Sequence, residues 1–193
     1  PEWDTTYFTA RPEFPVLQVD YEGAVAFAAA VGKRLPTEQE WEKAAGWDPA
    51  RERKLVYPWG DQFSPTQTNI SGRPSQIGAY PGDKSPYGAF DMAGNAAEWV
   101  DGLYAPYPGN DSFKQRADTV GEGSLRGFIS IVQRTADFKA ADWARVAQRG
   151  HAPRKFPAGM GLPIGLRCAI SADDPRMRDT INARTREGAG GSR

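Results

Sequence analysis

The chain has 193 residues, 39% of them hydrophobic, and its 24 basic side chains are balanced by 24 acidic ones. That length suits one domain, or one domain with a tail, and the even balance lacks the basic excess that general nucleic-acid binding leaves in a sequence. The 21 Gly and 16 Pro residues interrupt regular elements, while six Trp, seven Tyr and nine Phe supply a core, so a loop-rich globular protein is expected.

Cysteine and histidine occur once each, as Cys168 and His151. An intrachain disulfide is therefore impossible, and a His/Cys zinc site built from this chain alone is excluded. No run approaches the roughly 20 apolar residues that span a bilayer. The chain begins at Pro1 without an initiator Met, which is compatible with a removed leader or an upstream segment or subunit that completes the fold.

In chain order, residues 1–14 are aromatic and irregular, and residues 15–19 read as a short strand. Asp20 is placed to cap a helix over 21–31, with Val25, Ala28 and Ala29 as its apolar face and Gly32 as its stop. Thr37 and Glu40 form a capping box that starts a second helix, ended by Gly46. From 47 to 121 short apolar runs are broken by Pro, Gly, Asn and Asp, with brief strands expected at 55–57 and 77–80 and an exposed loop at 105–123. Residues 125–132 are β-rich, 135–147 fit either strand or helix, and 164–170 read as a closing strand. Beyond 171 the chain turns polar and Gly-rich, so 1–171 is expected to be the domain and 172–193 a flexible tail.

One segment carries chemical content on its own. Asp91, Gly94, Ala96 and Glu98 lie in a Gly-containing turn able to aim two carboxylates and two carbonyls at a hard cation such as calcium. The alternative is that Asp91 caps a turn and Glu98 forms a salt bridge.

Four segments together resemble the formylglycine-generating-enzyme, or sulfatase-modifying-factor, family. They are Gly32-Lys33-Arg34-Leu35-Pro36-Thr37-Glu38 through Ala45, Tyr57-Pro58-Trp59-Gly60-Asp61, Ser85-Pro86-Tyr87-Gly88 through Glu98-Trp99-Val100, and Gly165-Leu166-Arg167-Cys168-Ala169. The resemblance implies an α+β, loop-rich C-type-lectin-like fold with two helices and short antiparallel strands. The residues of the first two motifs themselves read as structural: Trp41 and Leu35 pack, Arg34 pairs with Glu42 at the rim, Pro58 orders a turn and Trp59 fills the core. The resemblance also implies a structural calcium at Asp91, Gly94, Ala96 and Glu98, and a first calcium site that would involve Asn69 and the carbonyl of Ile70.

The family's copper-dependent oxidation uses two cysteines after an Arg-Gly-Gly-Ser-Trp segment. Here the matching segment is Arg126-Gly127-Phe128-Ile129-Ser130, and the two cysteine positions fall on Val132 and Asp137. Cys168 belongs to the closing-strand motif, as a buried structural thiol. Other side chains do not replace thiolates toward copper, so neither copper nor iron is expected.

These residues point to a non-catalytic domain used for ligand or protein recognition, or for assembly. Its candidate surface runs over residues 129–162 and includes Arg134, Phe138, Trp143, Arg145, Arg149, His151, Arg154 and Phe156, rich in the Trp and Arg typical of binding hot spots. Variable proteins of diversity-generating retroelements, which resemble the family, display ligand-binding residues in this region. Two alternatives stand beside it: a formylglycine-generating oxidase or related enzyme, and a structural subunit of a larger complex.

Overall fold

The structure, a computed structural model, describes residues 11–110, 117–127, 139–156 and 162–177. It is an α+β arrangement with few helices and two small sheets. Helix α1 (Tyr21–Ala30) begins where the Asp20 carboxylate accepts the Gly23 amide at 2.8 Å. Its buried residues are Tyr21, Ala24 and Ala28, whereas Val25 and Ala29, expected to face inward, are exposed. The apolar residues of α1 lie all round the helix, so composition alone did not mark the buried face.

Helix α2 (Glu38–Gly46) has the expected reciprocal box: Thr37 Oγ1 accepts the Glu40 amide, and Glu40 accepts the Thr37 amide. Glu40 also takes Arg34 at 2.6 and 2.7 Å, which corrects the expected Arg34–Glu42 pair. Arg34 reaches back over the capping turn, while Glu42 points to Lys54 and Arg126.

Strands β1 (Trp47–Asp48) and β2 (Arg53–Lys54) form a small hairpin. The main sheet has the order β5-β4-β3-β6, from β3 (Ala97–Leu103), β4 (Gly123–Gly127), β5 (Gly150–Ala152) and β6 (Ile164–Leu166). β3–β4 and β4–β5 are antiparallel, but β6 runs parallel to β3, with Glu98 opposite Gly165. The expectation of antiparallel strands is corrected at this edge. A short helix α3 (Ala140–Trp143) settles that part of the ambiguous Ala-rich stretch.

Other expected strands are absent from the described residues. Residues 15–19 place one rung, Val19 N–H to the Ile164 carbonyl, but Gln18 at φ 63° breaks the extended run. Residues 77–80 form a turn around Gly78 at φ 74°. The Leu55–Tyr57 run likewise gives way to a turn, with Tyr57 and Gly60 exchanging backbone bonds.

The core has three parts. Trp99, wholly buried, gathers Tyr21, Leu35, Leu125, Ala152 and Ile164 between α1 and the sheet. Trp41, Met92, Val100 and Val146 pack under α2. Tyr57, Ala93 and Ala144 form the third, with Trp59 stacked on Tyr57 and only half-buried rather than filling the core. Residues 172–177, expected to be tail, return to the end of α1, where Arg176 donates to the Gly32 carbonyl.

Candidate functional site

Two groups of buried and half-buried polar side chains surround β3. The first lies at its N-terminal end. The turn before β3 is tightly wound, with Asp91 at φ 56° and Asn95 at φ 71°, both types that tolerate left-handed backbone. One Asp91 oxygen accepts the Gly78 amide at 3.0 Å and the Asn95 side-chain amide at 3.1 Å. Burial pushes the Asp91 carboxyl above its usual range; hydrogen bonds from Gly78 and Asn95 and the Arg167 charge offset this only in part.

Glu98, in β3, is committed to nitrogen donors. Trp41 Nε1 donates to it at 2.7 Å, and Arg167 grips both oxygens, through Nε at 2.6 Å and Nη2 at 2.7 Å. The parallel β6 ladder delivers that arginine. The salt-bridge reading of Glu98 describes this geometry.

A carboxylate without a role in the sequence pattern lies beneath the turn. Asp83 is wholly buried, and its oxygens accept the Ala93 amide at 2.9 Å, the Gly94 amide at 3.0 Å and the Thr68 hydroxyl at 2.5 Å. Burial pushes it up to about 6, against the pull of those three donors, and the neighbouring Asp91 charge adds to the rise. Its only sequence signal was an acid within the turn Tyr80-Pro81-Gly82-Asp83.

Asn69 is a hub rather than a free ligand. Its amide nitrogen donates to Arg73 O, Ser75 Oγ and Asn95 Oδ1, and its Oδ1 accepts from both the amide and the hydroxyl of Ser71. Its carbonyl takes the Asn95 amide, and the Gly94 carbonyl takes the Ala96 amide. Ile70 follows it, half-buried. As arranged, the side-chain oxygens of Glu98 and Asn69 accept hydrogen bonds from the protein. Among the described residues no three His, Cys, Asp or Glu side chains gather around a common point. The side chains of this turn hold one another instead.

The second group lies where α2 meets β4 and β5. Arg126, in β4, is wholly buried and meets Glu42 at 2.7 Å, Glu38 at 3.5 Å, the Tyr107 hydroxyl at 2.6 Å and the Val146 carbonyl at 3.2 Å. Burial works against the Glu42 carboxylate, but Lys54 and Arg126 outweigh it and hold Glu42 below its usual range. Arg149 binds Glu38 at 2.9 Å, and its guanidinium lies 4.3 Å from the Tyr107 ring and 4.8 Å from the Tyr104 ring. His151 joins the same face, with its ring 4.6 Å from Tyr104 and a bond to Glu122.

The expected eight-residue surface is therefore only partly assembled. Arg149 and His151 come together around Tyr104. Arg145 is exposed beside Asp142, and Trp143 is half-buried. Phe156 is half-buried and stacks on Trp99 at 6.3 Å, packed against the core, and Arg154 lies 4.2 Å over the Tyr21 ring of α1. Arg134 and Phe138 lie outside the described residues. Tyr104, Tyr107, Glu38 and Arg126, which join Arg149 on this face, carried no role in the sequence reading. A charged residue inside a β-rich run, Leu125-Arg126-Gly127, was the available signal for the last.

These features define a loop-rich α+β domain whose loops are pinned to a small sheet by buried ion pairs. The chain belongs to the sulfatase-modifying factor enzyme 1-like domain family, whose model matches residues 2–172. It is 48% identical over 174 residues to a hercynine oxygenase of Mycolicibacterium thermoresistibile, covering 86% of this chain and 38% of that protein. It is 35% identical over 179 residues to the inactive C-alpha-formylglycine-generating enzyme 2 of Mus musculus, covering 85% of this chain and 51% of that protein. The chain thus spans about half, or less, of these curated relatives. Among solved structures, Treponema denticola variable protein 1 shares the fold, with a TM-score of 0.57 at 20% identity, over 81% of this chain and 70% of that one.

Proposed function

We propose that this chain is a non-catalytic recognition domain of C-type-lectin-like type, which binds a ligand or protein through the face formed by Arg149, Tyr104, Tyr107 and His151. The observation that carries the reading is the fixed guanidinium of Arg149. Glu38 holds it from below and two tyrosine rings flank it, so its ordering cost is met before any partner arrives. Trp143 and Arg145 extend the same run of sequence. A single cysteine in the whole chain supports the non-catalytic half of the reading, because the resemblance implies a cysteine pair for formylglycine formation.

The test incubates the protein with copper, oxygen, reductant and a sulfatase-motif peptide, and follows peptide mass. No conversion is expected; turnover lost on Cys168→Ser would restore the oxidase reading.

The 48% identity to a hercynine oxygenase favours a second reading. In it the same face serves as the substrate-recognition part of an oxygenase whose metal ligands lie outside this sequence. Titration with hercynine, followed by calorimetry, separates the two. Saturable binding weakened by Arg149→Ala supports the second reading, and no heat at millimolar hercynine removes it.

A further inference from the structure

A concavity of about 440 Å³ opens between α2 and the β1–β2 hairpin, and of the side chains lining it only Tyr107 also belongs to the Arg149 face. Helix and hairpin build it in register. Gln39, Lys43 and Trp47 follow one another at four-residue spacing, so they form one stripe down α2 and onto its capping residue. Antiparallel pairing sets Lys54 opposite Trp47, and Glu42 and Tyr107 complete the lining. The volume lies within the range of small-molecule sites, roughly 300–1,000 Å³.

The polar groups here are rich in donors. The Lys43 ammonium, the Trp47 indole N–H and the Gln39 side chain have no hydrogen-bond or ion-pair partner among the described residues. Glu42, the one carboxylate in the lining, is taken by Lys54 and by the buried Arg126, the latter at 2.7 Å. Behind it, Glu38 is shared by Arg126 and Arg149. Four cations (Lys43, Lys54, Arg126 and Arg149) therefore face two carboxylates, and the uncompensated charge comes to the surface at the exposed Lys43. Such an excess repels a cation and draws an anion. The two aromatic rings of the wall, Trp47 and Tyr107, favour a flat ring packed against them.

We propose that this pocket binds a small aromatic carboxylate. Its carboxylate group accepts from the Lys43 ammonium and the Trp47 indole N–H, and its ring packs against Tyr107. The site does not rest on the recognition reading, because it needs Lys43 and Trp47 rather than the Arg149 guanidinium.

The test titrates indole-3-acetate into the ¹⁵N-labelled protein and follows the Trp47 indole N–H signal, assigned through the backbone. A saturable shift with a Kd of about 1 mM is expected of a ligand this small. Lys43 is exposed, so Lys43→Gln keeps the fold; it should weaken binding at least about fivefold, while Lys43→Arg should retain it. Tryptamine carries the same ring on an ammonium, and acetate carries the carboxylate without a ring. Neither should move the signal at about 10 mM, some ten times the expected Kd. No shift with indole-3-acetate, or equal affinity in Lys43→Gln, overturns the proposal. A shift as large with tryptamine overturns the charge argument on which it stands, and one as large with acetate reduces the pocket to an unselective basic patch and overturns it too.

Discussion

Replacing Glu98 by Gln tests what the turn before β3 is for. The carboxylate accepts three N–H donors, one from Trp41 and two from Arg167. The Glu98→Gln side chain would keep one acceptor but turn an amide N–H toward the guanidinium, leaving Arg167 without a counter-ion. Removing one partner of a buried pair costs about 3–5 kcal/mol. Arg167 keeps 27% of its side chain exposed, so the lower end, about 3 kcal/mol, applies. For a chain of this length that is a fall of about 6–12 °C in Tm. Urea unfolding followed by Trp fluorescence suits the measurement, since Trp41 is buried against Glu98 and Trp99 is buried in the core between α1 and the sheet. It is run with excess chelator and again with millimolar calcium, alongside Arg167→Met and the double variant. The loss should be equal in both buffers, and the double variant should recover most of it, as coupled residues do. A loss below about 1 kcal/mol refutes the ion-pair reasoning, and a loss confined to the calcium buffer would make Glu98 a metal ligand instead.

Asp83 sets a pH dependence of unusual sign. Its folded-state value, about 6, lies above its ordinary 3.8, so protonation favours the fold. The penalty is absent below about pH 4 and complete above about pH 6. In chelator, unfolding free energy should therefore fall across that window by up to about 3 kcal/mol, and Asp83→Asn should flatten the slope. Gly94→Ala should cost about 1–3 kcal/mol by urea unfolding, because its Cβ would meet Asn69 O at 2.6 Å and backbone there cannot yield; a neutral result would show the turn to be plastic. Arg149→Ala should lower stability by about 1–3 kcal/mol by removing the nearest cation from Glu38, which keeps only Arg126 at 3.5 Å and the Ser124 hydroxyl, whereas Arg149→Lys should restore the charge but not the ring stacking. Equal losses in both variants would assign the effect to the rings.

Signals that act over a few residues were legible from sequence. Asp20 and Thr37 each sit one position before a helix and cap it, and Gly32 falls in the left-handed backbone expected of a helix stop. What the sequence hid is made by distant partners. Glu38 reads as an ordinary first-turn acid, and nothing local says that Arg149 and Ser124 converge on it. Arg34 had acids at two neighbouring positions, and only the turn geometry selects Glu40. The Asp91-to-Glu98 spacing pointed to a pair of carboxylates, but it could not foresee that β6 would run parallel and lay Arg167 across one of them. Phe156 belonged by composition with the arginines around it, yet Trp99 claims it.

The backbone around residue 34 bears on how the two ends of the described fold are held. Arg34 and Ala169 exchange both amide bonds, at 3.0 and 2.7 Å, and Val19 bonds to Ile164. The early and late thirds of the chain are thus stitched together beside the sheet, with α1 and β6 as neighbours. Pulling that seam apart would therefore loosen α1 and β6 together, because each is anchored to the other through backbone bonds that no side-chain substitution removes. A change in a loop at the far end of the sheet leaves this backbone seam in place, since the bonds that make it lie at residues 19, 34, 164 and 169.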